Sequence, residues 1–121
     1  MAKTAMDLVQ AAKAAIQQIS VSQAQQMLND DSIALDVREA EEFDMGHIAD
    51  AVLIPRGLLE FSVASHPDFQ DKTRSVVVYC KSGGRSALAT ATLQQLGYTN
   101  VYSMIGGYDA WCAAEVNDDY T

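Results

Sequence analysis

Cys80 lies between a short apolar segment and a loop that contains two glycines and two cations. Lys81 follows it directly, Gly83 and Gly84 come next, and Arg85 completes the loop. Glycines let the backbone curl so that successive N–H groups point at one centre, and neighbouring cations stabilise a thiolate. The pattern indicates a nucleophilic cysteine in an anion-binding loop. A buried structural cysteine in a strand-to-helix turn is the alternative.

The segments on either side of this loop are predicted to place Cys80 at the end of a strand and near the start of a helix. Val76–Tyr79 is a β-branched and aromatic run, which is typical of a strand buried on both faces of a parallel sheet. Residues 86–96 carry an apolar stripe at helical spacing, and Gly97 follows where a left-handed cap is expected. A helix N-terminus at this point favours a negative charge on the sulfur.

Strands and helices alternate along the rest of the chain. Further strands are predicted at residues 19–21, 33–37, 51–54 and 101–104. Further helices are predicted at residues 5–18, 22–28, 58–64 and 108–114, the first capped by Thr4 and the second by Ser22. This alternation predicts an α/β fold: one domain with a central parallel sheet, helices on both faces and an extra N-terminal helix.

In parallel sheets of this kind, the ligand site lies at the carboxyl ends of the strands. Asp36 and Arg38, the Cys80 loop and the Gly106-Gly107 pair each follow a predicted strand. We therefore expect these segments to converge on one site.

The composition favours a protein with one core and no polyanionic partner. The chain has 121 residues, 49% of them hydrophobic, and a formal net charge of −8, which disfavours binding to nucleic acid or to an anionic membrane. We divide it into an N-terminal helical extension at residues 1–18, a domain at residues 19–114 and a polar tail at residues 115–121. No run reaches membrane-spanning length, and polar residues interrupt the first segment, so a cytoplasmic location is expected.

The two cysteines and two histidines have no metal-ligand spacing, so we predict no metal and no cofactor. Cys112 is expected to be a buried, inert thiol, the alternative being a second thiol that resolves an intermediate on Cys80. His47 is expected to make hydrogen bonds within a turn, and Trp111 to pack in the core.

Three motifs follow one another along the chain. They are Asp36-Val37-Arg38 with Glu42-Phe43 and Gly46-His47-Ile48, the six-residue loop 80–85, and Gly106-Gly107-Tyr108-Asp109-Ala110-Trp111. They resemble the signatures of the rhodanese family of sulfurtransferases, and the resemblance covers residues 19–111. All three occur in the family's order and at its spacing, which makes the combined signal strong. One departure is Asp50, where many members carry glycine.

The resemblance implies a transfer of sulfur in two steps. The Cys80 thiolate would take the outer sulfur of a small anionic donor such as thiosulfate, release sulfite, and pass the sulfur from a persulfide to cyanide, a thiol or a protein acceptor. The residues expected to bind the substrate, largely through backbone N–H groups, are Lys81, Ser82, Gly83, Gly84 and Arg85. The residues expected to support the site are Asp36, Arg38, Glu42 and Ser86.

Two questions about these residues remain open at the level of sequence. Arg85 either grips the oxygens of the donor or pairs with Glu42 or Asp36 and holds the shape of the loop. The N-terminal helix either packs against the edge of the domain or forms a dimer contact.

Two other functions are compatible with a cysteine and an arginine in one loop. Cysteine phosphatases and arsenate reductases are the nearest enzymes, but the four residues between Cys80 and Arg85 are one fewer than in the related phosphatases. The shorter loop suits a sulfur atom better than a tetrahedral phosphate. A rhodanese-like binding module without turnover is the other alternative, which the intact Cys80 loop disfavours.

Overall fold

The computed structural model describes the backbone of residues 2–119 and the side chains of residues 2–115, and it contains a parallel sheet of five strands. The order across the sheet is β1-β5-β4-β2-β3, with every neighbouring pair parallel. This confirms the predicted α/β fold. The strands are β1 (Gln18–Ile19), β2 (Ile33–Asp36), β3 (Val52–Leu53), β4 (Val76–Tyr79) and β5 (Val101–Met104).

Helices connect the strands and cover both faces of the sheet. Short 3₁₀ turns occupy Arg56–Leu58, Val63–Ser65 and Pro67–Phe69. The α-helices are α1 (Ala5–Ala15), α2 (Val21–Asn29), α3 (Ala40–Asp44), α4 (Leu59–Ser62), α5 (Gly84–Gln95) and α6 (Gly107–Asp119). None of the helices in the described residues is long and apolar enough to cross a membrane.

Strand β4 divides the core into two clusters because successive side chains of a strand point to opposite faces. Val76 and Val78 pack in a cluster with Leu93 of α5. Val77 and Tyr79 pack in the other cluster, which includes Ala24 of α2 and is covered by side chains of α6. All four β4 residues are buried, as expected for a strand covered on both faces.

The first two helices each begin with a capping box. The cap of the first helix is at the predicted residue, and that of the second is two residues earlier than predicted. Thr4 accepts a hydrogen bond from the N–H of Asp7, and the Asp7 carboxylate accepts one from the Thr4 N–H. Ser20, rather than the predicted Ser22, makes the same pair of bonds with Gln23. Ser22 also has a glutamine three residues later, Gln25, so the spacing of a capping box does not distinguish the two serines. The structure has the cap at Ser20, directly after β1.

Several predicted boundaries are wrong by a few residues. Strand β1 occupies Gln18–Ile19 instead of residues 19–21, since the chain leaves the sheet at the Ser20 cap. The predicted helix 58–64 contains only one α-helical turn, α4, with a 3₁₀ turn on each side. Helix α6 continues beyond residue 114 to Asp119 because no glycine or proline interrupts it. Residues 120 and 121 of the predicted tail lie outside the described residues.

The N-terminal helix α1 packs against α5, which begins at the Cys80 loop. At the loop end of this contact, Val9 faces Gly84, where an added Cβ would lie 3.9 Å from a Val9 methyl group. Ala12 of α1 is buried. The structure therefore shows α1 packed on the domain, while a dimer contact through α1 stays a prediction.

Substitution of a buried leucine should destabilise the protein more than substitution of an exposed one. Leu93 is completely buried, whereas Leu58 is 55% exposed. We expect Leu93→Ala to lower the free energy of unfolding by about 3 kcal/mol, because it removes buried apolar surface and leaves a cavity. Leu58→Ala should lower it by less than about 1 kcal/mol. Urea denaturation of both variants checks this, and equal losses would contradict the assignment of the core.

Candidate active site

The Cys80 loop lies at the carboxyl edge of the sheet, directly after β4. The Cys80 sulfur is 3.1 Å from the N–H nitrogen of Gly83 and 3.3 Å from that of Ser86, both of which donate to it. The Ser86 hydroxyl oxygen is 3.5 Å from the sulfur. Gly83 has a φ of +116°, which only glycine adopts readily, and this conformation turns the chain into α5. The loop thus wraps its own donors around the sulfur.

These hydrogen bonds lower the pKa of the Cys80 thiol. Cys80 is only 1% exposed, and burial by itself raises the pKa of its thiol. The Ser86 hydroxyl and the N–H groups of Ser86, Gly83 and Ser82 stabilise the thiolate more strongly, so the pKa is lowered overall. The sequence pattern had suggested that the helix N-terminus and the cations beside Cys80 would both lower the pKa. The N–H groups at the start of α5 and in the loop account for the lower pKa together with the Ser86 hydroxyl, and the cations are not among its main causes.

Further donors remain available beside the sulfur. Within the described residues, the N–H groups of Gly84 and Arg85 have no hydrogen-bond acceptor, because the first N–H groups of a helix lack partners in the helix. They lie at the positive end of the α5 dipole. An anionic atom attached to the Cys80 sulfur would find these donors already in place.

Arg85 points toward α3 and pairs with Glu42. Its two terminal nitrogens lie 2.7 and 3.1 Å from the two carboxylate oxygens. Glu42 also accepts a hydrogen bond from the Glu39 N–H at the start of α3. The hydrogen bond from Arg85 lowers the pKa of Glu42 to about 2, and the carboxylate in turn raises the pKa of Arg85. Of the two roles open for Arg85, the observed geometry is that of a loop brace, with Glu42 and not Asp36 as partner.

Helix α6 holds the other side of the loop through its first residues. The N–H of Tyr108 donates to the Cys80 carbonyl at 2.7 Å, and that of Asp109 donates to the Lys81 carbonyl at 3.1 Å. The Asp109 carboxylate also pairs with the Lys81 ammonium at 2.9 Å. Gly107, with φ +62°, permits this approach, since a Cβ there would lie 2.5 Å from the backbone of Cys80 and Lys81.

Asp36 and Arg38 form a buried ion pair beside the site. Arg38 donates to both oxygens of Asp36 through its side chain and backbone, at 2.8 to 3.1 Å, and its guanidinium also donates to the Gly46 carbonyl at 2.7 Å. The guanidinium lies over the ring of Tyr108, 4.5 Å from its centroid. Neither residue makes a hydrogen bond to Cys80 in the part of the chain that the structure describes. The pair anchors the turn at Gly46 and supports α6.

The structure also places the other residues singled out from sequence. His47 bonds the Phe43 carbonyl through Nδ1 at 2.9 Å and stacks on the Phe43 ring, as expected for a turn residue. Asp50 has a φ of +63°, a conformation that glycine adopts easily and aspartate tolerates. Trp111 and Cys112 are half-buried, not fully buried, because α6 lies on the surface of the sheet.

Two residues near the loop were missed at the level of sequence. Asp109 binds Lys81, and Ser103 on β5 has its hydroxyl 2.9 Å from that of Ser86. The Asp109 position falls within the third motif, but no local pattern identifies its partner 28 residues away. Ser103 appears in the sequence as one polar residue in an apolar strand, which is the one signal that could have drawn attention to it.

A methyl group at Gly107 should disrupt the loop. We expect Gly107→Ala to lower the free energy of unfolding by about 2 to 4 kcal/mol, because of the positive φ and the clash with the Cys80 and Lys81 backbone. Gly57→Ala is the matched control, since no atom lies within 4 Å of an added Cβ there. Thermal or urea denaturation provides the measurement. A loss at Gly107 no larger than at Gly57 would contradict the close approach.

The Arg85–Glu42 pair should contribute stability that depends on pH. The pKa of Glu42 is lower in the folded protein, about 2 against 4.5, so the contribution is complete above about pH 4.5 and is lost as the pH falls toward 2. The pair is partly exposed, so we expect Glu42→Gln to cost about 1 kcal/mol at pH 7. Urea denaturation from pH 7 to 2 should show this difference from the wild type decreasing. Glu41→Gln, an exposed neighbour, is the control, and a difference at Glu42 that does not change with pH would refute the assignment.

Comparisons with known proteins identify the family of this chain. A family model of the rhodanese-like domain matches residues 20–114. The chain is 39% identical over 103 residues to thiosulfate sulfurtransferase 16, chloroplastic, of Arabidopsis thaliana, covering 77% of this chain and 84% of that protein. It is 33% identical over 107 residues to thiosulfate sulfurtransferase GlpE of Haemophilus influenzae, covering 86% and 95%.

A solved structure extends the match to nearly the whole chain. It is that of a protein of unknown function from Rhodopseudomonas palustris, described as a possible tyrosine phosphatase. It superposes with a TM-score of 0.86 at 28% identity and covers 95% of this chain and 93% of that one. Since the family model spans most of the sequence and includes the Cys80 loop, the chain belongs to the rhodanese family.

Proposed function

We propose that this protein is a sulfurtransferase that carries sulfur as a persulfide on Cys80. The observation that carries the proposal is the pair of N–H donors on the Cys80 sulfur, from Gly83 at 3.1 Å and from Ser86 at 3.3 Å, with the Ser86 hydroxyl oxygen 3.5 Å away. Among the described residues, the N–H groups of Gly84 and Arg85 in the same loop have no acceptor. The first set stabilises the attacking thiolate. The second set is positioned for the charge of an outer sulfur. The two relatives above, both thiosulfate sulfurtransferases by name, support this class of reaction.

The first step requires no general base, because the loop already favours the thiolate. The Cys80 thiolate attacks the outer sulfur of thiosulfate, a bond forms between the two sulfurs, and the bond from the outer sulfur to the sulfonate centre breaks. Sulfite leaves with that electron pair. His47 is engaged with the Phe43 carbonyl and takes no part in this step.

The second step passes the outer sulfur to an acceptor. A thiolate on a small molecule or a protein, or cyanide in an assay, attacks that sulfur and breaks its bond to Cys80. The electron pair of the broken bond returns to Cys80 as the thiolate. The donors from Gly83 and Ser86 stabilise this leaving thiolate as they stabilised the attacking one.

Lys81 is the cation that can bind the sulfur donor. The Lys81 and Asp109 side chains are 60% and 57% exposed, so little free energy is lost when their ion pair breaks. Arg85 is held by two hydrogen bonds to Glu42 and keeps the loop in shape. The oxygens of a sulfonate-like donor would therefore contact Lys81 and the N–H groups of the loop.

Transfer of one sulfur atom to Cys80 is the decisive prediction. We expect the intact mass of the reduced protein to increase by one sulfur atom after thiosulfate and to return after cyanide, which leaves as thiocyanate. Cys80→Ser should abolish the gain because serine cannot form the persulfide. Cys112→Ser is the matched control and should retain it. Mass spectrometry of the three proteins provides the measurement.

The same experiment discriminates the alternatives. Sulfur gained by the Cys80→Ser protein would reject Cys80 as the carrier. No gain by the wild type, with its thiol shown to be reduced, would reject sulfur transfer from thiosulfate. Hydrolysis of a phosphate ester, lost in Cys80→Ser, would then indicate a phosphatase, the description given to the Rhodopseudomonas palustris protein. Absence of both activities would indicate a binding module.

A further inference from the structure

Ser103 places a hydroxyl group in the core behind the Cys80 loop. It lies in β5, opposite Val78 of β4 and Gln18 of β1, and only 2% of it is exposed. A buried hydroxyl costs free energy unless it is hydrogen-bonded. Among the described residues, the Ser103 hydroxyl has one hydrogen-bond partner, the Ser86 hydroxyl, at 2.9 Å.

Because Ser103 has this single partner among the described residues, the direction of the hydrogen bond between the two serines can be inferred. Each hydroxyl has one proton to donate and can also accept. The Ser86 oxygen is the one acceptor within reach of Ser103 in the described part of the chain, so Ser103 satisfies its proton only by donating to Ser86. If Ser86 donated to Ser103 instead, the Ser103 proton would be buried without an acceptor.

The direction of this bond leaves the Ser86 proton free for another acceptor. While Cys80 is a thiol, its S–H donates to the Ser86 oxygen at 3.5 Å, and the Ser86 hydroxyl donates to the Gly83 carbonyl at 3.3 Å. A thiolate has no proton to donate and can only accept, and a charged acceptor forms the stronger hydrogen bond. Once Cys80 is ionised, the Ser86 hydroxyl therefore donates to its sulfur. When the charge moves to an outer sulfur, the Gly83 carbonyl is the neighbouring acceptor to which that proton can turn.

We propose that Ser103 is a positioning residue for the Cys80 thiolate: it donates to Ser86 and thereby directs the Ser86 hydroxyl proton onto the sulfur. The inference rests on the proposed use of Cys80 as the reacting thiolate. It concerns the thiol before any donor binds, so it is tested without sulfur transfer.

The charged groups around Cys80 are fixed in pairs and do not replace this hydroxyl donor. Arg85 of α5 pairs with Glu42 of α3, Lys81 of the loop pairs with Asp109 of α6, and Arg38 pairs with Asp36. Glu39 also faces Arg85, and the phenols of Tyr79 and Tyr108 lie on the other side of β4 with Arg38. In the described residues, none of these side chains donates to the sulfur. Loss of the neutral Ser103 hydroxyl should therefore change the pKa of Cys80 without changing the charge of the site.

The test is the pH dependence of Cys80 alkylation by iodoacetamide, measured in a Cys112→Ser background so that one thiol reacts. We expect Ser103→Ala to raise the pKa of Cys80 by about half a unit to one unit, the size of one weakened hydrogen bond. Ser103→Thr keeps the hydroxyl and should restore the pKa. Ser86→Ala should raise it at least as much as Ser103→Ala.

Ser75→Ala is the matched control. Ser75 directly precedes β4, at the end of the strand away from Cys80, and its hydroxyl lies 2.7 Å from that of Ser32. It should leave the pKa of Cys80 unchanged. The proposal is overturned if Ser103→Ala leaves the pKa unchanged, or if Ser75→Ala raises it equally. A wild type that fails to take sulfur from thiosulfate, while Ser103→Ala still raises the pKa, would reject the proposed function and keep this inference.

Discussion

The site depends on one physical requirement, the stabilisation of a negative sulfur that water hardly reaches. An unpaired buried charge is very unfavourable, so Cys80 is compatible with a thiolate only while hydrogen-bond donors point at it. The loop supplies these donors from Gly83 and Ser86 through a left-handed glycine and the first turn of α5. Any displacement of that turn by a fraction of an ångström weakens the bonds. The surrounding structure must therefore fix the loop on every side.

Three elements fix it by different interactions. Helix α3 holds Arg85 through Glu42, helix α6 donates two backbone hydrogen bonds to the carbonyls of Cys80 and Lys81, and β5 provides Ser103. Both cations of the loop are bound by carboxylates, so the site gains little from their charge at the sulfur. A loop that stabilises a negative sulfur is therefore compatible with a chain whose net charge is −8. The local potential comes from oriented N–H groups, whose direction the fold determines.

The sequence predicted the parts of this arrangement that depend on local pattern. The run Val76–Tyr79, the Cys80 loop and the Thr4 cap all have their signal within a few residues. The structure has the strand and the cap at the predicted positions, while α5 begins at Gly84, two residues earlier than the predicted helix 86–96. Partners from distant segments were not predictable. Nothing in the neighbourhood of Ser103 specifies Ser86, and the choice of Glu42 over Asp36 as partner of Arg85 depends on how α3 leaves β2. The contribution of the loop N–H groups to the low pKa of Cys80 was predictable, whereas that of the Ser86 hydroxyl was visible only in the structure.

The N-terminal helix α1 also helps to fix the loop, although the family model begins after this helix, at residue 20. Since α1 packs along α5 and reaches Gly84 through Val9, it supports the helix whose first N–H groups form the site. The Rhodopseudomonas palustris structure covers 95% of this chain and so includes most of this extension. The loop and the first turn of α5 donate to the Cys80 sulfur through the N–H groups of Gly83 and Ser86. Packing of α1 along α5 therefore supports the site, although none of the described residues of α1 makes a hydrogen bond to the sulfur.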